Sequence, residues 1–181
     1  MHGFHGRLLH IDLSTGRSSR HDLAPSRLRE VLGGIGLGAS LLYDYATPGV
    51  DPFSPANPLI FTSAPLVGTG LTTTAKFAVV TKSPLTGFIA DSLSSSYFAI
   101  ELKRIGVDGL VITGQAASLA YIHIHNENVE IKDAGYLMGK NASETESLIR
   151  AELSSPATRV AAIGKAGENR VRFATISNEG R

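Results

Sequence analysis

Two histidines in the middle of the chain have a spacing that could serve metal binding. His123 and His125 lie two residues apart in a segment whose alternating pattern predicts a β-strand, so both imidazoles would face the same side. Imidazole is a suitable ligand for zinc, copper, iron and nickel. The sequence places no carboxylate or third histidine beside this pair, and His2, His5 and His10 lack partners in the same way. A solvent-exposed strand face is therefore the favoured interpretation, with a metal site as the alternative.

Acid–base and thiol chemistry both lack a complete set of groups. Asp91 and Glu101 could be considered an acid–base pair, but nothing in their spacing fixes the separation of the two carboxyl groups. Capping or solvated carboxylates are the favoured interpretation. The sequence contains no cysteine, which excludes disulfides, thiolate nucleophiles and thiolate-ligated metal or iron–sulfur sites within this chain. No catalytic residue is predicted, and any chemistry that the chain serves must be completed by groups outside it.

Two glycine-rich segments fail as nucleotide-binding loops. Residues 33–38, GGIGLG, do not fit the GxGxxG spacing. Residues 135–141 are one residue short of a P-loop and end in Asn141, where Ser or Thr should hold magnesium. A loop before a helix is the favoured interpretation of the first segment.

Small residues mark three turns that could face a ligand: 64–75, 92–96 and 164–169. Little side-chain bulk lets a ligand approach the backbone closely, and a phosphate would favour the N–H groups of Ser94–Ser96 before a helix starting at Tyr97. The alternative is that all three are simply tight turns between strands. The residues alone leave both interpretations open.

Composition predicts one ordinary globular domain. The chain has 181 residues, of which 43% are hydrophobic and 18% charged, and its formal net charge is +1. Dispersed Lys and Arg residues form no basic stripe, so we expect no nucleic-acid partner. No apolar run reaches the length of a signal peptide core or a membrane span, which predicts a soluble cytoplasmic location without a membrane partner.

Periodicity and turn residues predict strands and helices in an order typical of an α+β fold. Two hairpins are predicted at 4–23 and 119–133, and further strands at 59–63, 76–81, 88–91, 109–114, 159–163 and 171–176. Helices are predicted from Pro25, at 36–46, at 97–105 and at 143–154. Ser143 and Glu146 predict a capping box for the last of these.

Three motifs occur together in order along the chain. They are VVTKSPLTG at 79–87, Tyr97-Phe98 followed by Glu101-Leu102-Lys103, and AIGKAGEN at 162–169. With them the chain resembles the N-terminal domain of the aldehyde ferredoxin oxidoreductases. Further segments extend the similarity over essentially the whole chain: Gly6-Arg7, Asp12–Gly16, Leu32–Gly34, Asp51-Pro52 and Pro55.

The resemblance implies an α+β domain of two similar β3-α-β3 halves that exchange their C-terminal strands. Such a domain forms the base for a tungsten or molybdenum bis-pterin, with the metal held by pterin dithiolenes and a magnesium ion bridging the pterin phosphates. The reaction implied is oxidation of an aldehyde to a carboxylic acid, with ferredoxin as electron acceptor. A [4Fe-4S] cluster would be bound by cysteines of later domains.

The resemblance also implies that residues 1–181 are this one domain, truncated at its C-terminal end before an Arg-, Ala- and Gly-rich phosphate-binding segment. The expected partners are the remaining helical domains or a partner subunit, and ferredoxin in the complete enzyme. We expect no activity from the isolated chain.

Three positions carry the cofactor-binding roles that the resemblance implies. Lys76 stands where the family usually has an arginine between pterin and cluster. Leu93 stands where an asparagine supplies a backbone carbonyl to the magnesium ion, and Ser95, with Ser96, replaces a Gly-Gly pair. These departures motivate an alternative, a structural or interaction module of the same fold that has lost pterin binding. A weaker alternative is a generic phosphate-binding domain that uses Ser94–Ser96.

Overall fold

A hairpin opens the computed structural model, which describes residues 2–180. Strands β1 (Arg7–Asp12) and β2 (Arg17–Asp22) pair antiparallel. Gly16 closes the turn with φ of 69°, a left-handed conformation that glycine adopts without strain. The hairpin is the one predicted from the sequence.

Six strands form the main sheet. The hairpin is joined by β3 (Leu59–Thr62), β4 (Lys76–Lys82), β5 (Ile89–Ser95) and β6 (Gly109–Thr113). The strand order is β2-β1-β6-β3-β4-β5, and every pairing is antiparallel except that of β1 with β6. Strands β2 and β5 are therefore the two edges of the sheet.

Two helices cover one face of the sheet. They are α1 (Pro25–Val31), which buries Leu28, and α2 (Gly34–Tyr45), which buries Leu37 and Leu41. Gly38 lets α2 lie close to β4, because a Cβ atom at this position would come within 2.5 Å of Val80 Cγ2. The apolar face of α2 is thus fitted to the sheet.

The opposite face is covered by a helix and a second hairpin. Helix α3 (Tyr97–Arg104) packs there with strands β7 (Ala120–His125) and β8 (Asn128–Asp133). Phe61, Phe77 and Phe98 meet at the centre of this core, with ring centroids 5.0–6.1 Å apart. Such aromatic contacts add to the burial of apolar area.

A buried ion pair ties the N-terminal segment to the start of β6. Lys103 Nζ lies 2.5 Å from Asp108 Oδ1, and Asp108 is only 1% exposed. The same carboxylate accepts hydrogen bonds from the backbone N–H groups of His5 and Gly6. Because each oxygen has a partner, the buried charge is compensated.

The remaining elements follow in the last third of the chain: α4 (Ala142–Glu152), β9 (Ala161–Ala162), α5 (Lys165–Glu168) and β10 (Ser177–Asn178). A 3-10 turn at Gly135–Leu137 precedes α4, and β9 pairs antiparallel with β10. A small core of Ala134, Leu137, Ile149 and Val160 holds this part together.

The predicted α+β class is confirmed. The two halves of the domain that the resemblance implies differ in size. The first contains most of the six-stranded sheet, whereas the second contains the β7–β8 hairpin, the short β9–β10 pair and α4. Strand β6, from the middle of the chain, lies between β1 and β3.

Several element boundaries were predicted wrongly. The strand predicted at 171–176 is absent, since β10 begins at Ser177, and the turn predicted at 164–169 contains α5. The strand predicted at 159–163 has only two residues. The capping box of α4 is formed by Asn141 and Glu144, because each side chain accepts from the backbone N–H of the other.

The longest helix among residues 2–180 is α2, with 12 residues. No helix in this part of the chain combines the length and the apolar character needed to cross a membrane.

Candidate functional site

Strand β5 has one free edge, and its backbone alternates between the neighbouring strand and that edge. Hydrogen bonds from Ser96 N to Ala75 O (3.0 Å) and from Ser83 N to Phe88 O (2.8 Å) flank the β4–β5 ladder. In an antiparallel ladder, hydrogen-bonded and non-hydrogen-bonded pairs alternate. Leu93 falls in a non-bonded pair, so its N–H and C=O point away from β4 towards the free edge.

The three predicted cofactor-binding residues lie together on one face of this edge. Lys76 is directly opposite Ser95, and Leu93 is opposite Ala78, two pairs further along. Residues two apart on a strand, and residues opposite each other, share a face. All three predicted residues are exposed, Leu93 to 57%, whereas Ala78 is buried. The strand pairing therefore clusters residues that are 17 to 19 positions apart in sequence.

Small side chains keep the approach to the edge open. Residues 92–95 of the segment predicted as a turn are instead the second half of β5, so Ser92, Ser94 and Ser95 lie in a strand. Ser96 follows the strand and caps α3. In the neighbouring loop, Gly68 and Gly70 have φ of 79° and 85°, and no heavy atom lies within 4 Å of a Cβ built at either. This geometry is compatible with the interpretation of these small-residue segments as a surface that a large ligand can approach closely.

The helix start after β5 is already occupied by protein groups. Ser96 Oγ accepts from Phe98 N at 3.2 Å, and Tyr97 N donates to Glu179 Oε1 at 2.9 Å. Asn178 Nδ2 donates to Ser94 Oγ at 2.9 Å. The N–H groups of Tyr97 and Phe98 at the start of α3 are therefore used within the chain. Of the N–H groups predicted for a phosphate, that of Ser96 donates to Ala75 O and that of Ser94 faces β4, whereas that of Ser95 points to the free edge.

Large apolar side chains are exposed around β5. They include Leu85, Phe88, Ile89, Leu93 and Tyr97, each more than half exposed. A surface with this many exposed large apolar residues is typical of a region that another protein segment or a ligand covers.

The histidine pair does have a carboxylate neighbour, contrary to the sequence interpretation. His123 pairs across the β7–β8 ladder with Glu130, and its Nδ1 lies 3.7 Å from Glu130 Oε2. The rings of His123 and His125 are 6.3 Å apart. Within residues 2–180, however, no group of three or more His, Asp or Glu residues is arranged to hold a metal ion.

The other titratable residues considered from the sequence have structural surroundings. His10 Nε2 is 2.8 Å from Thr113 Oγ1, and burial, followed by the charge of His21, lowers the pKa of its imidazole. Glu101 pairs with Arg104 at 2.6 Å on the exposed side of α3. Asp91 lies on β5 with its side chain exposed.

A tyrosine–carboxylate cluster at the end of α4 was not predicted from the sequence. The hydroxyls of Tyr136 and Tyr121 both donate to Glu152, which lowers the pKa of its carboxyl. Burial and this hydrogen bond raise the pKa of Tyr136 to about 12 and raise that of Tyr121 as well. The cluster joins the β7–β8 hairpin to α4.

Comparison with known families assigns the class of protein that this fold and edge represent. Residues 8–181 match the family described as "Aldehyde ferredoxin oxidoreductase, N-terminal domain". The chain belongs to this family.

Curated relatives agree with the assignment. The chain is 45% identical over 180 residues to the tungsten-containing aldehyde ferredoxin oxidoreductase of Pyrococcus furiosus, and 44% identical to that of Thermococcus kodakarensis. It is 34% identical to a protein of Pyrococcus furiosus named "Aliphatic sulfonate oxidoreductase, WOR-like subunit". In each case 97–99% of this chain aligns with about 30% of the relative. The chain thus spans less than a third of the length of these larger enzymes.

A solved structure shares the fold. The chain superposes with a TM-score of 0.94 and 42% identity on the active-site complex BamBC of benzoyl coenzyme A reductase, solved with 1,5-dienoyl-CoA. The match covers 98% of this chain and 27% of the other. The N-terminal domain fold is therefore shared by relatives with different named substrates.

Proposed function

We propose that this chain is the cofactor-cradling domain of a larger oxidoreductase that oxidises aldehydes to carboxylic acids, with ferredoxin as electron acceptor. The cofactor would be a tungsten or molybdenum bis-pterin with a bridging magnesium ion. The observation that carries this proposal is the Leu93 carbonyl on the free edge of β5, beside Lys76 and Ser95. Residues 1–181 would form one domain of that enzyme.

Leu93 can supply a magnesium ligand despite replacing asparagine. Magnesium prefers oxygen ligands, and a backbone carbonyl is available whatever the side chain. The β4–β5 ladder directs this carbonyl to the free edge. The substitution therefore removes side-chain hydrogen bonding without removing the ligand atom.

Lys76 and Ser95 would meet the cofactor from the same face. Lys76 places one positive charge at the edge, which favours an anionic group, although a lysine lacks the planar fork with which arginine binds two oxygens. Ser95 adds only a hydroxymethyl group where a glycine would add nothing, so the loss of space is small. A cradle with this charge and these small side chains fits a phosphate-bearing pterin.

The remaining chemistry requires groups from outside this chain. The bound pterin and its metal would supply the two-electron step, while the protein positions the cofactor and tunes its electrostatics. A [4Fe-4S] cluster needs thiolate ligands, and the chain has no cysteine. We propose that the additional domains, or a partner subunit, supply the cluster, the substrate pocket and the contact with ferredoxin.

The test uses the full-length protein produced in a host supplied with both tungsten and molybdenum. We expect metal and pterin to copurify with it and aldehydes to reduce ferredoxin in its presence. A folded full-length protein without metal would contradict the proposal and favour the non-catalytic module.

Two matched variants locate the cofactor within the domain. Ser95→Trp fills the face beside Leu93, so we expect it to lose metal. Ser92→Trp places the same bulk on the opposite face of the same strand, since Ser92 pairs with Val79, and should retain metal. Equal metal contents in the two variants would show that this edge does not hold the cofactor.

A second candidate function follows from the solved relative. Identity to the structure of the benzoyl coenzyme A reductase complex, 42%, is close to the 45% shared with the aldehyde enzyme. The full-length protein could then be a low-potential reductase acting on an aromatic coenzyme A thioester. Assays of the metal-loaded protein with aldehydes and with aromatic thioesters distinguish the two candidates.

A further inference from the structure

One carboxylate near the end of the chain links three separate elements. Glu179 Oε1 accepts from the backbone N–H of Tyr97 at 2.9 Å and lies 3.7 Å from Arg159 Nη1. The Arg159 guanidinium lies over the Tyr97 ring, 4.8 Å from its centroid. We call Glu179, Tyr97 and Arg159 the Glu179 clasp.

The clasp lies at the end of β5 that carries the candidate site. Tyr97 follows Ser95 by two residues, and the neighbour of Glu179, Asn178, donates to Ser94 Oγ at 2.9 Å. Asn178 is buried and belongs to β10, which pairs with β9. The clasp therefore connects the edge of the main sheet to the β9–β10 ladder of the second half.

Strand β5 needs such a connection because little else fixes it. It is an edge strand, so only one side of its backbone is paired, and its sequence ends in serines, which have no strong preference for strands. A carboxylate at the first N–H of a helix is favourable, because it satisfies a free donor and complements the helix dipole. The Glu179 contact thus stabilises the junction between β5 and α3.

We propose that Glu179 is a positioning residue for the cofactor edge: by holding Tyr97 N–H, it keeps Leu93 and Ser95 in the geometry that retains the cofactor. This inference rests on the proposed function. Glu179 itself does not touch the cofactor in this proposal, because its carboxylate is engaged with Tyr97 and Arg159. Its effect passes through Ser96, the single residue between Ser95 and Tyr97.

The experiment measures cofactor retention in the full-length, metal-loaded protein. The variants are Glu179→Ala, which removes the acceptor, and Glu179→Gln, which keeps an oxygen that can accept from Tyr97 N–H. The matched control is Glu168→Ala, because Glu168 also accepts from a distant backbone N–H, that of Gly139, with both oxygens at 3.0 Å. That contact joins α5 to the turn before α4 rather than to Tyr97.

We expect metal to dissociate from Glu179→Ala about fivefold faster than from the wild type, the factor that follows from losing one helix-end contact. Glu179→Gln should recover most of the retention, and Glu168→Ala should match the wild type. Turnover per bound metal should be unchanged in all of them. Elemental analysis after timed dialysis, below the unfolding temperature of each variant, gives the rates.

Equal retention in Glu179→Ala and Glu168→Ala would overturn the positioning role, even if both variants unfold at lower temperature than the wild type. Failure of Glu179→Gln to restore retention would also overturn it. A wild-type protein that carries no metal would instead refute the proposed function, so the two failures are distinguishable.

Discussion

Asp108 is a buried charge, so its removal should have a large effect on stability. Its carboxylate is 1% exposed and bonds Lys103 and two backbone N–H groups of the N-terminal segment. Asp108→Ala would leave the Lys103 ammonium buried without its partner. Breaking a buried ion pair from one side costs about 3–5 kcal/mol, so we expect a loss of unfolding free energy of that size. Denaturant unfolding measures it.

The control for this prediction is a more exposed ion pair on α3, the helix that carries Lys103. Glu101 and Arg104 lie 2.6 Å apart, with their side chains 40% and 70% exposed. Exposed pairs contribute about 0–1 kcal/mol, so Glu101→Ala should change stability little. Similar losses in the two variants would mean that the Asp108 pair is not effectively buried.

Glu152 predicts a pH dependence of stability. The hydroxyls of Tyr136 and Tyr121 lower the pKa of its carboxyl from the ordinary value of 4.5. A depressed pKa in the folded state contributes stability above 4.5, and this contribution is lost as the pH falls through the folded pKa. We expect Glu152→Gln to flatten the decline in stability on acidification, relative to the wild type.

Denaturant unfolding at pH values from neutral to below that ordinary value measures the slope. Glu127→Gln, on the β7–β8 turn, is the matched control and should keep the wild-type slope. If Glu152→Gln also kept that slope, the two tyrosines would not stabilise the ionised carboxylate.

Strand β5 allows a specific prediction at the scale of the elements. Its residues alternate between hydrogen bonding to β4 and facing the free edge, and this alternation decides which carbonyls are free. Leu93 and Asp91 point to the open edge, whereas Ser92 and Ser94 bond β4. Amide hydrogen exchange in the 181-residue chain should therefore be fast at Leu93 and Asp91 and slow at Ser92 and Ser94. Slow exchange at Leu93 and Asp91 with fast exchange at Ser92 and Ser94 would show that the Leu93 carbonyl faces β4. That carbonyl could then not bind magnesium.

Local sequence signals predicted most elements but not the full length of β5. Periodicity located the first hairpin, helices α2 and α3, and strands β3 and β4, since each has an apolar face with a regular spacing. The serines at 92–95 have no such pattern, and only pairing with β4 makes them a strand. Residues 171–176 show the opposite error, because β-branched residues there find no pairing partner in the sheet.

At the scale of the whole molecule, the ordered motifs of the sequence predicted the family. The same sequence did not predict the long-range contacts. The motifs at 79–87 and 162–169 identified the family without any knowledge of the fold. The contact between Glu179 and Tyr97 joins residues 82 positions apart, and no spacing rule links them. Predicting it requires knowing that β5 and the β9–β10 ladder meet.

The chain spans about 30% of the length of its curated relatives, and large apolar side chains are exposed around β5. Leu85 and Phe88 lie at one end of that strand and Tyr97 follows the other. The proposed cofactor, followed by the additional domains, would cover this surface.

The most direct test is a crystal structure of the metal-loaded full-length protein. We predict a magnesium ion at about 2.1 Å from the Leu93 carbonyl oxygen, the usual distance for this ion, with the pterin beside Lys76 and Ser95. A cofactor bound elsewhere, or a Leu93 carbonyl hydrogen-bonded to a further strand, would contradict the assignment of this edge as the cofactor cradle.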